Sequence, residues 1–155
     1  MASPASIAKH PIHPMLVVFP IGLWVFSFVM DLVHFFGKGS QIWEVIALYT
    51  MVGGIIGALC AAVPGFIDFL STKGKVRSIA KMHMGLNLTL VVLYVINTFL
   101  RLEGAFAAPI ILSLIGIILL VISGWLGGEM VYVHGAAVEP QKEPGAFPER
   151  ERELV

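Results

Sequence analysis

Four long, nearly uncharged apolar runs leave this chain few ways to fold. They cover Met15–Phe36, Ile42–Leu70, Ser78–Leu100 and Ala105–Val133, and each reaches the roughly 20 residues a helix needs to cross a bilayer core. Only 13% of the 155 residues are charged while 57% are hydrophobic, about half the charge of an ordinary soluble domain. Lipid is therefore the expected solvent. The links GKGSQ, STKGKVR and RLEG are short, and their glycines and charges suit turns. Short links make successive spans antiparallel, so the expected fold is all-α: an up-down bundle of four transmembrane helices within residues 1–134. Residues 135–155, which include EPQKEPGAFPERERELV, are rich in charge and proline and are expected to be a disordered cytoplasmic tail.

The first run is too long for the core of a cleaved signal sequence and has no small-residue cleavage site after it, so it is expected to stay in the membrane. With four spans, Lys9, Lys73, Lys75, Arg77, Lys81, Lys142, Arg150 and Arg152 share one side, against Lys38 and Arg101 on the other. The positive-inside rule then places both termini in the cytoplasm of a multi-pass inner-membrane protein. A formal net charge of zero gives no support for a nucleic-acid partner. Cys60 is the only cysteine, which excludes an intrachain disulfide, a Cys-only zinc site and an iron–sulfur cluster; it reads as a buried small hydrophobe. Gly53, Gly57 and Ala61 repeat every fourth residue, and Gly116, Gly124, Gly127 and Gly128 mark span four. Such residues let helices approach closely in lipid, within one chain or between copies in a homo-oligomer. Pro20 and Pro64 are expected to bend their helices.

Ionisable side chains are costly in a bilayer and mark candidate sites. His10 and His13 precede span one, Asp68 ends span two, His83 lies in the second turn of span three, and Glu129 and His134 close span four. Four of the five histidines thus fall at one end of the bundle, drawn from all four helix ends. His34 alone lies at the other end, near Asp31 and Arg101, where a local ion pair or hydrogen bond is the plain reading. In HPIHP each histidine precedes a proline, which disfavours helix. Both are expected to be extended, about 9 Å apart on one polyproline face, with His13 at the helix N-cap and Pro14 in the first helical position. Asn87, one turn after His83, is placed to orient it, and Asn97 to bond between helices.

The plain alternative for these histidines is a set of interfacial rings bonding headgroups, and the basic residues of the second link suit the same role. Three chemistries use the cluster instead. A b-type haem needs histidines from two helices, for which His83 with His13 or His134 are placed, Gly127 and Gly128 leaving room. A non-haem zinc, iron or copper ion would take His10, His13, His83, His134 and Asp68, with Met15, Met82, Met84 and Met130 in the same layer. Proton or quinone handling would use the same groups as titrating residues.

The segments HPIHPMLVVFPIG, PGFIDFL, KMHMGLNLTLVVLYVINTFLR and SGWLGGEMVYVHGAAV resemble, in order, a bacterial membrane family known as domain of unknown function 2231. The resemblance runs over about residues 8 to 138. It implies a four-span inner-membrane protein, and some members look joined to a Rieske iron–sulfur domain, which implies electron transfer. Its motif positions here are His10, His13, Asp68, His83, Asn87, Arg101, Glu129, Tyr132 and His134. No Rieske-like motif follows His134, so electrons would come from quinol or a separate redox protein. Similarity to four-helix dihaem cytochromes is weaker, because the other side offers only His34.

The reading taken forward is an electron-transfer or redox module with one haem b ligated by His83 and His13, His134 and His10 in reserve, and Asp68, Asn87, Glu129 and Tyr132 tuning the ligands by hydrogen bonding. The alternatives are a metal centre with an open water position, and a non-catalytic oligomeric scaffold. No catalytic residue is assigned.

Overall fold

A computed structural model describes residues 3–37, 40–105 and 107–138. Lys38, Gly39, Phe106 and 139–155, with most of the expected tail and its Lys142, Arg150 and Arg152, lie outside the described residues. A short hairpin pairs β1 (Ser6–Ile7) with β2 (His10–Pro11). Helices α1 (Ile12–Leu16), α2 (Val18–Phe36), α3 (Gln41–Ser71), α4 (Gly74–Leu102) and α5 (Ala107–Gly128) follow, and a π-helical turn, Glu129–Val133, extends α5. The four spans Ile12–Phe36, Gln41–Ser71, Gly74–Leu102 and Ala107–Val133 are long and apolar enough to cross a membrane.

The spans start and stop for local reasons. The α1–α2 interruption falls at Val17, where Pro20 has no N–H to offer the Leu16 carbonyl one turn earlier. Pro64 sits buried inside α3. The link between α3 and α4 is only Thr72 and Lys73, closed by Thr72 N–H and Oγ donating to the Phe69 carbonyl at 3.0 and 2.7 Å. Gly74 then takes φ +55°, a left-handed value that a side chain resists.

Helix α2 packs on α3, α3 on α4, α4 on α5 and α5 back on α2, which closes the expected bundle. Its centre is Trp24, Met51, Leu90 and Tyr94. The Trp24 and Tyr94 rings stack at 4.3 Å and 16° across the diagonal between α2 and α4, and the indole N–H donates to the Met51 carbonyl at 3.2 Å. Small residues make this approach possible: a Cβ on Gly54 would strike the Trp24 indole, and one on Gly116 would lie 2.6 Å from the Tyr94 hydroxyl. Gly57 abuts Phe19 and Pro20, whereas Gly124 meets nothing within 4 Å and is not part of the packing. Cys60 is exposed rather than buried, because it lies on the outer side of α3 where an apolar thiol can face lipid. Large apolar side chains such as Phe19, Leu59, Leu88 and Ile118 are exposed along every span, the surface that a bilayer would cover.

The end with the α2–α3 and α4–α5 links is knit by ions. Arg101 donates to both oxygens of Asp31, at 2.8 and 2.6 Å, and through Nε to Asn97 Oδ1 at 2.9 Å. Asn97 in turn donates to the Pro109 carbonyl at 2.9 Å and the Ser113 hydroxyl at 3.0 Å, the interhelical role expected of it. Asp31 is 3% exposed. Thus Asp31 pairs across the bundle with Arg101, while His34 bonds the Ser40 carbonyl in the link and faces Glu44 in the first turn of α3 at 3.1 Å.

Candidate functional site

At the opposite end, one cavity of about 1340 Å³ draws on all four spans, and its walls include His10, His13, Asp68, His83, Asn87 and His134. Four of the five histidines and Asp68 thus line one cavity, whereas Glu129 is not among the lining residues. Within it, the structure separates a central pair from groups with other work.

The pair is His13 and His83, ring centres 6.3 Å apart and planes at 90°. His13 is not an N-cap. It lies inside α1, which begins at Ile12 after an extended Pro11 (ψ 127°). Pro14 still falls in the first turn, where its missing N–H costs nothing, and the helical backbone lets the His13 ring reach α3. There Nδ1 donates to the Ala61 carbonyl at 2.8 Å, and the ring lies on Gly65, whose Cβ would come within 2.6 Å of Nδ1. His83 repeats the pattern on α5. Its Nδ1 donates to the Ser123 carbonyl at 2.9 Å, with the Ser123 hydroxyl oxygen at 3.1 Å, and Gly127 lies beside the ring, where a Cβ would be 3.4 Å away. A carbonyl can only accept, so both rings carry the proton on Nδ1 and present a lone pair at Nε2. Histidines that ligate metals are fixed in this way by their other nitrogen.

At His83 that lone pair has a partner: Asn87 Nδ2 donates to Nε2 at 3.0 Å and to the His83 carbonyl at 2.9 Å. Asn87 does orient His83, but from the nitrogen that would bind a metal. His13 Nε2 has no hydrogen-bond partner among the described residues.

The remaining candidates sit apart from the pair. His10 is extended, as expected, but exposed, with Nδ1 donating to the Ala8 carbonyl at 2.9 Å in its own hairpin; it does not share a polyproline face with His13. Asp68 accepts from the Ser3 hydroxyl at 2.6 Å and the Ala5 N–H at 3.2 Å, holding the N-terminal segment against the end of α3, where Ser3 joins the cavity wall. His134 Nε2 stands 3.8 Å from Glu129 Oε1, too far for a hydrogen bond, and is buried with no partner among the described residues. Tyr132, on the π turn, contributes to the cavity wall but is 89% exposed. Met15, Met84 and Met130 line the cavity, whereas Met82 is exposed. Among the described residues, no three His, Cys, Asp or Glu side chains come together as a metal-binding group.

Sequence reasoning missed Ser123, Gly65 and the Ala61 carbonyl. Gly65, directly after a proline inside a span, was the available signal; the backbone acceptors left none. A model of the DUF2231 family, described as predicted membrane proteins, matches residues 9–140. The chain belongs to that family of membrane-embedded, multi-pass proteins. No curated protein and no solved structure matches it.

Proposed function

We propose that this protein is an inner-membrane electron-transfer module in which His13 and His83 hold one b-type haem near the cytoplasmic face. The observation that carries the reading is the paired geometry of the two imidazoles. A metal bound at about 2 Å by imidazole nitrogens on opposite sides sets the ring centres roughly 6 Å apart, and the rings here are 6.3 Å apart. Each Nδ1 is held by a backbone carbonyl, which fixes the ligating tautomer in advance. A haem needs only two protein ligands, so the dispersal of His10, Asp68 and His134 counts against a three-ligand ion and not against haem.

The fit has one local consequence. On ligation His83 would give its lone pair to iron, and Asn87 would keep only its bond to the His83 carbonyl. Bound haem would supply a one-electron couple; the chain's own residues would orient the ligands and exclude water. Lys9, Lys73, Lys75, Arg77 and Lys81 at this end support its cytoplasmic placement.

The test is an oxidised and dithionite-reduced visible spectrum of detergent-purified protein made with ample haem. Sharp reduced α and β bands are expected, and they should vanish in His83→Ala and His13→Ala with helicity intact. An unchanged spectrum in either variant, or none in the wild type, would overturn the assignment.

A further inference from the structure

We infer that the histidine cavity also admits a lipid-soluble quinol, with His134 and Glu129 receiving its protons; the electron-accepting part of this inference rests on the haem reading above. Three independent features of the cavity point there.

The first is size. At about 1340 Å³ the cavity exceeds the roughly 300–1,000 Å³ typical of sites for one small molecule or cofactor, which leaves room beside a macrocycle. The second is where it opens. Ile21, Leu59, Val63, Phe66, Met84 and Leu88 line it, and all six are also exposed on the outer surface of the bundle. A ligand with an apolar tail can thus enter sideways from the acyl chains. No lysine or arginine lines the cavity among the described residues, so a neutral head bearing hydroxyl or carbonyl groups can enter without needing a counter-ion. The third is the His134 imidazole, at the cavity wall with a buried Nε2 that bonds nothing among the described residues. A buried unpaired nitrogen calls for a partner, and a quinol hydroxyl is a donor of the right kind. Glu129, 3.8 Å away and one-third exposed at its side chain, connects that nitrogen to the surface.

The reaction balances as follows. Both quinol O–H bonds break and the ring becomes a quinone with two carbonyls. The two protons leave by way of His134 and Glu129. The two electrons would pass singly to a one-electron metalloprotein acceptor, two acceptor molecules each gaining one electron, and a haem held by His13 and His83 would supply the one-electron couple between them.

The test uses the full chain in detergent, carrying Trp43→Phe and Trp125→Phe so that cavity-lining Trp24 reports alone. The probe is a benzoquinone with a ten-carbon tail, added in oxidised form for fluorescence quenching and in reduced form for haem reduction. Saturable quenching is expected, and roughly tenfold or weaker binding once a hydrogen bond is lost in His134→Leu or the wall is filled in Leu88→Trp. Both variants should keep the dithionite-reduced spectrum while losing quinol-driven reduction. Non-saturable quenching, affinity unchanged in both variants, or equal competition by the redox-inert alcohol decanol would overturn the inference while leaving the haem spectrum as it stands. Saturable, His134-dependent quenching in protein that shows no haem would support quinone binding and overturn the haem reading instead.

Discussion

The two ends of the bundle handle polar groups in opposite ways. At the ion-pair end, Asp31, Arg101, Asn97 and Ser113 satisfy one another within a space closed to solvent. At the histidine end, fewer groups are paired, His13 bonds through Nδ1, the buried His134 Nε2 makes no hydrogen bond among the described residues, and a large cavity separates the helices. Saturated polar networks rigidify a core, whereas a buried polar group left unsatisfied needs an explanation such as a functional role or a bound water or ion. One end is built to hold the helices together and the other to receive something.

The largest effect should come from breaking the saturated end. Arg101→Ala strands the Asp31 carboxylate and should cost about 3–5 kcal/mol in a detergent unfolding titration, while the double variant Asp31→Leu, Arg101→Leu should lose less than either single change. Equal losses for double and single variants would mean that the pair is not the keystone of that end. Next, Asp68→Ala removes two hydrogen bonds to a carboxylate and should cost about 1.5–3 kcal/mol; cleavage by trypsin after Lys9, followed by mass spectrometry, should accelerate as the N-terminal segment loosens. Gly65→Ala should cost about 1–3 kcal/mol by overpacking, but its sharper signature is spectral, because the new methyl displaces the His13 ring and with it the expected haem bands. His10→Ala should fall within about 0.5 kcal/mol of the parent, as exposed positions do, and should leave the spectrum alone. A large loss at His10 would erase the distinction between the central pair and the cavity rim.

How far the sequence revealed each end follows from the kind of contact involved. Spans were legible because bilayer thickness fixes their length, and the histidine layer because span order fixes depth. Depth does not fix direction around a helix, so the sequence groups Asp68 with the histidines although its carboxylate is taken up by Ser3 and Ala5. Pro14 after His13 argues for an extended backbone, yet His13 is helical and its ring bonds the Ala61 carbonyl on α3. Carbonyl acceptors on facing helices carry no side-chain identity, so the pairing of His13 with α3 and of His83 with α5 had no signature in the residues themselves. The Asp31–Arg101 pair spans 70 positions, a separation at which local spacing is silent.

The latch between Ser3 and Asp68, together with the His83–Ser123 contact, bears on biogenesis. During synthesis the N-terminal segment emerges 65 residues before the carboxylate that fastens it, and His83 emerges 40 residues before the carbonyl that sets its tautomer. The cavity therefore has no floor until the second span is inserted and no far wall until the fourth follows. An occupant held between His13 and His83 must therefore be loaded into a nearly complete chain, after translation has delivered the last helix.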